Sequence, residues 1–241
     1  MTTIFWAGDS TVKAGDAALR PQTGIGEAFV HFIRPDVRIE NCAENHCSTK
    51  SFIEAGRLEA IAECIVPGNF LFVQFGHNDE KHVDPARYTD PDTTFRENLA
   101  RFADVARQRG ATPVFITPAA RYHQGNASDV YRHVRWQAAM LAEGSRLGVA
   151  VIDLTTLSET LVLSMGPAAA TTLYMNLPGG VSPCFPRGQR DNTHLQPEGA
   201  RAFAGLIAGE LRRLGGVYAG LVNEAPETYP DEMKIPKYTL K

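Results

Sequence analysis

The sequence has little that would tie it to a membrane, a disulfide scaffold or a nucleic acid. Its 241 residues include only four cysteines, Cys42, Cys47, Cys64 and Cys184. These are too few and too irregularly spaced for a disulfide framework, and they fit a reducing, cytoplasmic setting. No stretch approaches the roughly 18 uninterrupted apolar residues of a membrane helix. The opening Met-Thr-Thr-Ile-Phe lacks the basic segment, long apolar core and cleavage site of a secretory leader. Basic runs are absent too: 24 Lys and Arg against 27 Asp and Glu leave a formal charge of -3, so nucleic acid is not expected as a partner. There is no internal repeat and no low-complexity tract.

What the chain does have is rhythm. Short apolar runs with strand character recur at residues 3–7, 37–41, 69–75, 112–117 and 149–154. Between them, residues 94–109, 130–147 and 197–214 place apolar side chains at three- and four-residue spacing, the pattern of amphipathic helices. Right-handed crossovers would gather the strands into one mostly parallel five-stranded sheet with helices on both faces. The fold expected is a single three-layer α/β/α domain with its functional loops at the carboxyl ends of the strands. Residues 1–221 form that domain. Residues 222–241, where Pro226, Pro230 and Pro236 oppose a continuous helix, form an extension packed on the domain or on a neighbouring subunit. Homo-oligomerisation is left open.

Three segments carry chemistry. Gly8-Asp9-Ser10-Thr11 follows the first strand and would present the Ser10 hydroxyl at a strand's carboxyl end; the alternative is that Ser10 caps the next helix. Asp191-Asn192-Thr193-His194 puts a carboxylate three residues before an imidazole. In a turn, Asp191 can accept the proton on one ring nitrogen and leave the other free to take a proton from a serine, although an Asx turn beside a surface histidine has the same spelling. Gly76-His77-Asn78-Asp79 follows the apolar run at residues 70–75. There the Asn78 amide could donate to a developing oxyanion, or the segment could simply be a turn.

Taken together and in this order, the three segments resemble the blocks of the SGNH hydrolases, also called GDSL esterases. The resemblance spans nearly the whole chain and implies a flavodoxin-like fold, an acyl-enzyme mechanism and no cofactor or metal. It assigns Ser10, Asp191 and His194 to catalysis, and the Ser10 N–H, the His46 N–H and Asn78 to the oxyanion hole. Asp9, Thr11 and His77 support the site or the substrate, with Asp9 organising the oxyanion loop or serving as a helix-start carboxylate. A further block is found in residues 41–52, where relatives carry Gly-Arg and this chain has His46-Cys47. Every residue but proline keeps its N–H, so the donor can survive, but glycine accepts positive φ more readily than histidine. The His46 ring could also reach a substrate.

Within the superfamily the chain is similar to rhamnogalacturonan acetylesterases and related carbohydrate acetylesterases. The carriers are Ser10-Thr11, Ser48-Thr49-Lys50-Ser51-Phe52, Leu173-Tyr174-Met175-Asn176-Leu177 and the complete Asp191–His194 block. The implied substrate is a small acetylated saccharide of pectic or hemicellulosic origin. Three alternatives stand beside it: a short-chain esterase or thioesterase on another substrate, a non-catalytic carbohydrate-binding relative, and a zinc site built on Cys42, His46 and Cys47. His77 is expected to brace the loop after the third strand. His82, His123 and His133 are expected on loops or helix faces, and Trp136 within helix packing.

Overall fold

The first strand, β1 (Thr2–Gly8), turns Ile4 and Trp6 to one face of a sheet and Phe5 and Ala7 to the other, and all four are buried. An apolar run this continuous suits a strand covered on both sides. In the computed structural model, which describes residues 1–122 and 133–224, β1 lies second in a sheet with β2 (Val37–Asn41), β3 (Phe70–Gln74), β4 (Thr112–Ile116) and β5 (Ala150–Ile152). The order is β2-β1-β3-β4-β5 and every neighbouring pair is parallel. The expected three-layer α/β/α fold is the observed one.

The helical layers divide by side-chain parity. Ile4, Trp6, Phe70, Phe72, Val114 and Ile116 meet α1 (Ile25–Ala28), α6 (Leu154–Met165) and α8 (Pro197–Leu214). On the opposite face Leu71, Val73 and Phe115 meet α2 (Thr49–Glu54), α3 (Arg57–Cys64), α4 (Thr94–Gln108) and α5 (Val134–Leu147). Phe52, Phe75 and Phe102 pack edge-on or tilted with centroids 5.3–5.8 Å apart, locking α2 and α4 to the sheet end. Between α6 and strand β6 (Tyr174–Leu177) lies α7 (Pro167–Thr171), a single turn begun by a proline.

Several local expectations change. Helix α5 begins at Val134, and the stretch expected to start it at residue 130 lies outside the described residues, as do His123 and Pro226, Pro230 and Pro236 of the tail. Val222 is bridged to Ile33, and the Asn223 N–H donates to the Phe32 carbonyl at 2.8 Å, so the start of the extension is laid on the domain. The segment holding Asp191 and His194, expected as a turn, is strand β7 (Gln189–Leu195). It pairs antiparallel with β6 (Tyr174–Leu177) through an irregular register. Asp, Asn and Thr favour turns locally, but a partner strand offers the same backbone groups a ladder.

Strand order fixes where the loops converge. The chain leaves β1 toward β2 and leaves β3 toward β4, so the crevice at this switch of direction opens above the carboxyl ends of β1 and β3. Ser10 follows one of those strands and Asn78 the other. Among the described residues, no helix is long and apolar enough to cross a membrane.

Candidate active site

Ser10 caps no helix. It sits in a tight turn in which the Val12 and Lys13 N–H groups donate to the Asp9 carbonyl, and the next helical turn is capped by Asp16 instead. Asp9 is buried, and its Oδ1 accepts from the Thr11 N–H at 2.9 Å and the Thr11 hydroxyl at 2.7 Å. Burial raises the Asp9 carboxyl above the usual range against the pull of those two bonds. Its hydrogen bonds stay within the turn that carries Ser10. Among the described residues Asp9 therefore organises that turn, and there it makes no bond to the residue 42–48 loop and starts no helix, the two roles the sequence had suggested. The loop is tied on differently, by the Glu44 N–H to the Gly8 carbonyl at 3.1 Å and by the Lys13–Glu44 ion pair.

Strand β7 reaches Ser10 through two backbone bonds. The Thr23 N–H donates to the Leu195 carbonyl at 2.9 Å, and the Tyr122 N–H to the Asn192 carbonyl at 3.0 Å. They leave His194 Nε2 2.9 Å from Ser10 Oγ and His194 Nδ1 2.6 Å from Asp191 Oδ2. The other oxygen, Asp191 Oδ1, accepts from the Thr193 and His194 N–H groups at 2.8 and 3.0 Å. Burial works to raise the Asp191 carboxyl, but the bond from the His194 ring and the two N–H donors outweigh it and bring it down to about 2. An ionised Asp191 accepts a hydrogen bond from the Nδ1–H, so Nε2 faces the serine hydroxyl as an acceptor. Both side chains are about a quarter exposed or less, shielded yet reachable from solvent.

The acceptor side of the crevice is built by the β3 loop. Gly76, at φ 140°, begins it, and a Cβ there would fall 2.7 Å from Pro118 Cγ. Asn78 is buried; one Nδ2 hydrogen goes to the Cys47 carbonyl at 3.0 Å, and Arg87 Nη1 approaches Oδ1 at 3.4 Å. An amide has a second hydrogen to give. Among the described residues the Ser10 and His46 N–H groups have no acceptor either. His46 adopts φ 63°, the left-handed conformation that the family's glycine would supply. The histidine thus keeps a glycine-like backbone at a strain of about 1 kcal/mol or more. Its ring is exposed, whereas Cys47 is buried in the core.

Asp79, absent from the expected site, ties the two loops together. It is fully buried, and its Oδ1 accepts from the Thr49 N–H at 3.0 Å, the Thr49 hydroxyl at 2.5 Å and the Thr89 hydroxyl at 2.9 Å. Burial nevertheless pushes its carboxyl up to about 7. His77 is buried as a brace, with Arg121 donating to its Nδ1 at 3.2 Å and to its carbonyl at 3.4 Å. Burial first, then the charges of His133 and Arg121, keeps His77 neutral. His133 lies on the loop just before α5, and it is buried beside His77 with ring centroids 4.3 Å apart, its Nδ1 meeting Glu80 Oε2 at 2.8 Å. His82 is exposed on a loop, and Trp136 is buried with its indole N–H directed to the Thr89 carbonyl at 3.3 Å. No group of three His, Cys, Asp or Glu side chains among the described residues is arranged to hold a metal, so Cys42, His46 and Cys47 form no such site.

This serine–histidine–carboxylate array, set on a parallel sheet, has counterparts in known proteins. The profile of GDSL-like lipases and acylhydrolases matches residues 4–207. The chain belongs to that family. A GDSL relative from Bacillus subtilis (strain 168), a rhamnogalacturonan acetylesterase, is 38% identical over 213 residues, covering 88% of this chain and 90% of its own. In structure, the protein YXIM of Bacillus subtilis superposes with a TM-score of 0.75 at 27% identity; the match takes 88% of this chain and 56% of that longer one. Axe2, an acetylxylan esterase from Geobacillus stearothermophilus, shares the fold at a TM-score of 0.59 and 15% identity over 90% of this GDSL chain and 95% of its own.

Proposed function

We propose that the protein is a serine esterase that removes acetyl groups from a carbohydrate. The observation that carries this reading is the continuous relay from Asp191 through His194 to Ser10, at 2.6 and 2.9 Å. The identity to a rhamnogalacturonan acetylesterase over most of both chains supports the acyl and substrate classes.

In the mechanism, Ser10 Oγ attacks the ester carbonyl while His194 Nε2 takes the hydroxyl proton, and the charge on Asp191 stabilises the resulting imidazolium. The carbonyl oxygen becomes negative in the tetrahedral intermediate. The Ser10 N–H, the His46 N–H and the remaining Nδ2 hydrogen of Asn78 are assigned to hold it, each donor contributing about 3–4 kcal/mol to the transition state. Collapse breaks the bond to the sugar oxygen, which leaves with the proton from His194. Water then attacks the acyl carbon as His194 removes its proton, and collapse of this second tetrahedral intermediate breaks the bond to Ser10 Oγ, which takes that proton back from His194 as acetate leaves. The residues supply every proton transfer.

The four free cysteines support placing this reaction in the cytoplasm, with oligosaccharide fragments as substrates. Treatment with a fluorophosphonate followed by peptide mass spectrometry tests the nucleophile. Modification at Ser10 that disappears in His194→Ala protein is expected; modification at another serine with Ser10 untouched rejects the assignment.

A further inference from the structure

Strand β2 is an edge of the sheet. Its parallel partner β1 occupies one side, and among the described residues no strand pairs with the other. Just past its end the Cys42 N–H donates to the Trp6 carbonyl at 3.0 Å, so the even-numbered residues here turn their backbone groups toward β1. Neighbouring residues of a strand direct their N–H and C=O to opposite sides. Ile39, at the middle of β2, therefore points both groups away from the sheet, whereas the Val37 N–H is taken by the Arg34 carbonyl at 3.0 Å.

An open edge is a template for another strand, and proteins often block it with charge. On β2 the charges are arranged to attract one particular partner. Arg38 and Glu40 flank Ile39 on one face of the sheet and pair with each other at 2.7 Å, with 64% and 45% of their side chains exposed. When a second β2 runs antiparallel about a two-fold axis at Ile39, Arg38 of each copy stands opposite Glu40 of the other. The two Ile39 residues then exchange their outward N–H and C=O groups, and the charged pairs fall at the adjacent positions, where side chains approach most closely. Moving the axis by one residue sets Arg38 against Arg38 or Glu40 against Glu40, so charge selects a single register.

The same face is only partly covered by helices. Arg38 and Glu40 lie beside Thr3 and Phe5 of β1, and with Ile61 and Val66 these residues line a cavity of about 690 Å³. Val66 and Met1 on its rim are exposed. Two such cavities would lie side by side across the axis, with the apolar stems of both Arg38 side chains over their lining.

We propose that this chain forms a two-fold dimer by antiparallel pairing of β2 with β2 of a second copy, which joins the two five-stranded sheets into one. The same patch serves both copies, as a closed two-fold contact requires. The inference does not depend on the esterase reading.

Sedimentation equilibrium of the full chain tests it. The parent should be a dimer, and its Kd should rise at least about tenfold in Glu40→Arg and in Arg38→Glu, because each substitution makes both facing pairs like-charged. An equimolar mixture of these two variants should recover the association of the parent, since every facing pair between unlike chains is again opposite in sign. The double variant Arg38→Glu/Glu40→Arg stays self-complementary and should dimerise as the parent does. A parent that remains monomeric up to about 100 μM overturns the proposal. A dimer indifferent to both single substitutions, or a mixture that gains nothing over its components, overturns it as well, because association would then use another face. A second measurement needs no variant: hydrogen exchange of the Ile39 amide, followed by NMR across a dilution series. Protection that grows with protein concentration supports the pairing, and protection independent of concentration contradicts it.

Discussion

The Asn78 amide donates one hydrogen to the Cys47 carbonyl at 3.0 Å, and this bond joins the loop after β3 to the loop that carries His46. It fixes the amide plane and leaves one N–H to serve an oxyanion. Asn78→Ala should therefore reduce kcat by on the order of a hundredfold or more with little change in KM. Steady-state kinetics on an aryl acetate checks this. A rise in KM alone would make Asn78 a ligand for the ground-state substrate.

His46→Gly removes a left-handed histidine and restores the residue for which φ 63° is free of strain. The relief outweighs the greater backbone entropy of glycine in the unfolded chain, so stability should rise by about 0.5–1 kcal/mol. The backbone N–H is kept, and kcat should stay within about tenfold of the parent. Urea denaturation paired with kinetics measures both. A destabilised variant would mean that the exposed ring makes contacts stronger than the strain.

Asp79 holds its proton until about pH 7 in the folded protein, whereas a carboxyl of ordinary pKa 3.8 loses it earlier in the unfolded chain. Between roughly pH 4 and 7 the folded state therefore binds more protons at this group, and its contribution to stability falls as pH rises. Asp79→Asn keeps an Oδ1 that can accept from Thr49 and Thr89 but cannot titrate. The stability of parent minus variant should fall across that window and level off above it. A difference constant with pH would contradict the burial-raised carboxyl.

Asp191 shifts in the other direction. Held at about 2 by His194 and the two N–H donors despite its burial, it stabilises the fold above the ordinary carboxylate range, and that contribution is lost as pH falls from about 4 toward 2. Asp191→Asn should lose this acid sensitivity. It should also lower kcat by on the order of 10⁴, because an amide that donates to Nδ1 selects the wrong imidazole tautomer. Full activity in the variant would assign Asp191 to structure alone.

The sheet and the Asp191–His194 pair were legible in the sequence for a physical reason, whereas Ser10, 184 residues from His194, was joined to them only by the resemblance to SGNH hydrolases. Strands buried on both faces are nearly continuous apolar runs, and the block around Asp191 and His194 is local, with the carboxylate and imidazole three residues apart. What stayed hidden depends on distant partners. Thr49 and Asp79 are 30 residues apart and His133 and Glu80 are 53 apart, so no spacing rule links them. Strand β7 looked like a turn because its residues favour turns, and only pairing with β6 reveals it. His46 was visible as a departure from the family pattern, yet that histidine would take up the glycine conformation could not be read from its identity.

If Ser10 carries the acyl group, its replacement by alanine removes the nucleophile, and kcat of Ser10→Ala on an aryl acetate reads that loss. The loss should be at least about a thousandfold, in a protein whose circular dichroism and melting are those of the parent. Folded Ser10→Ala protein that keeps most of its kcat would contradict it.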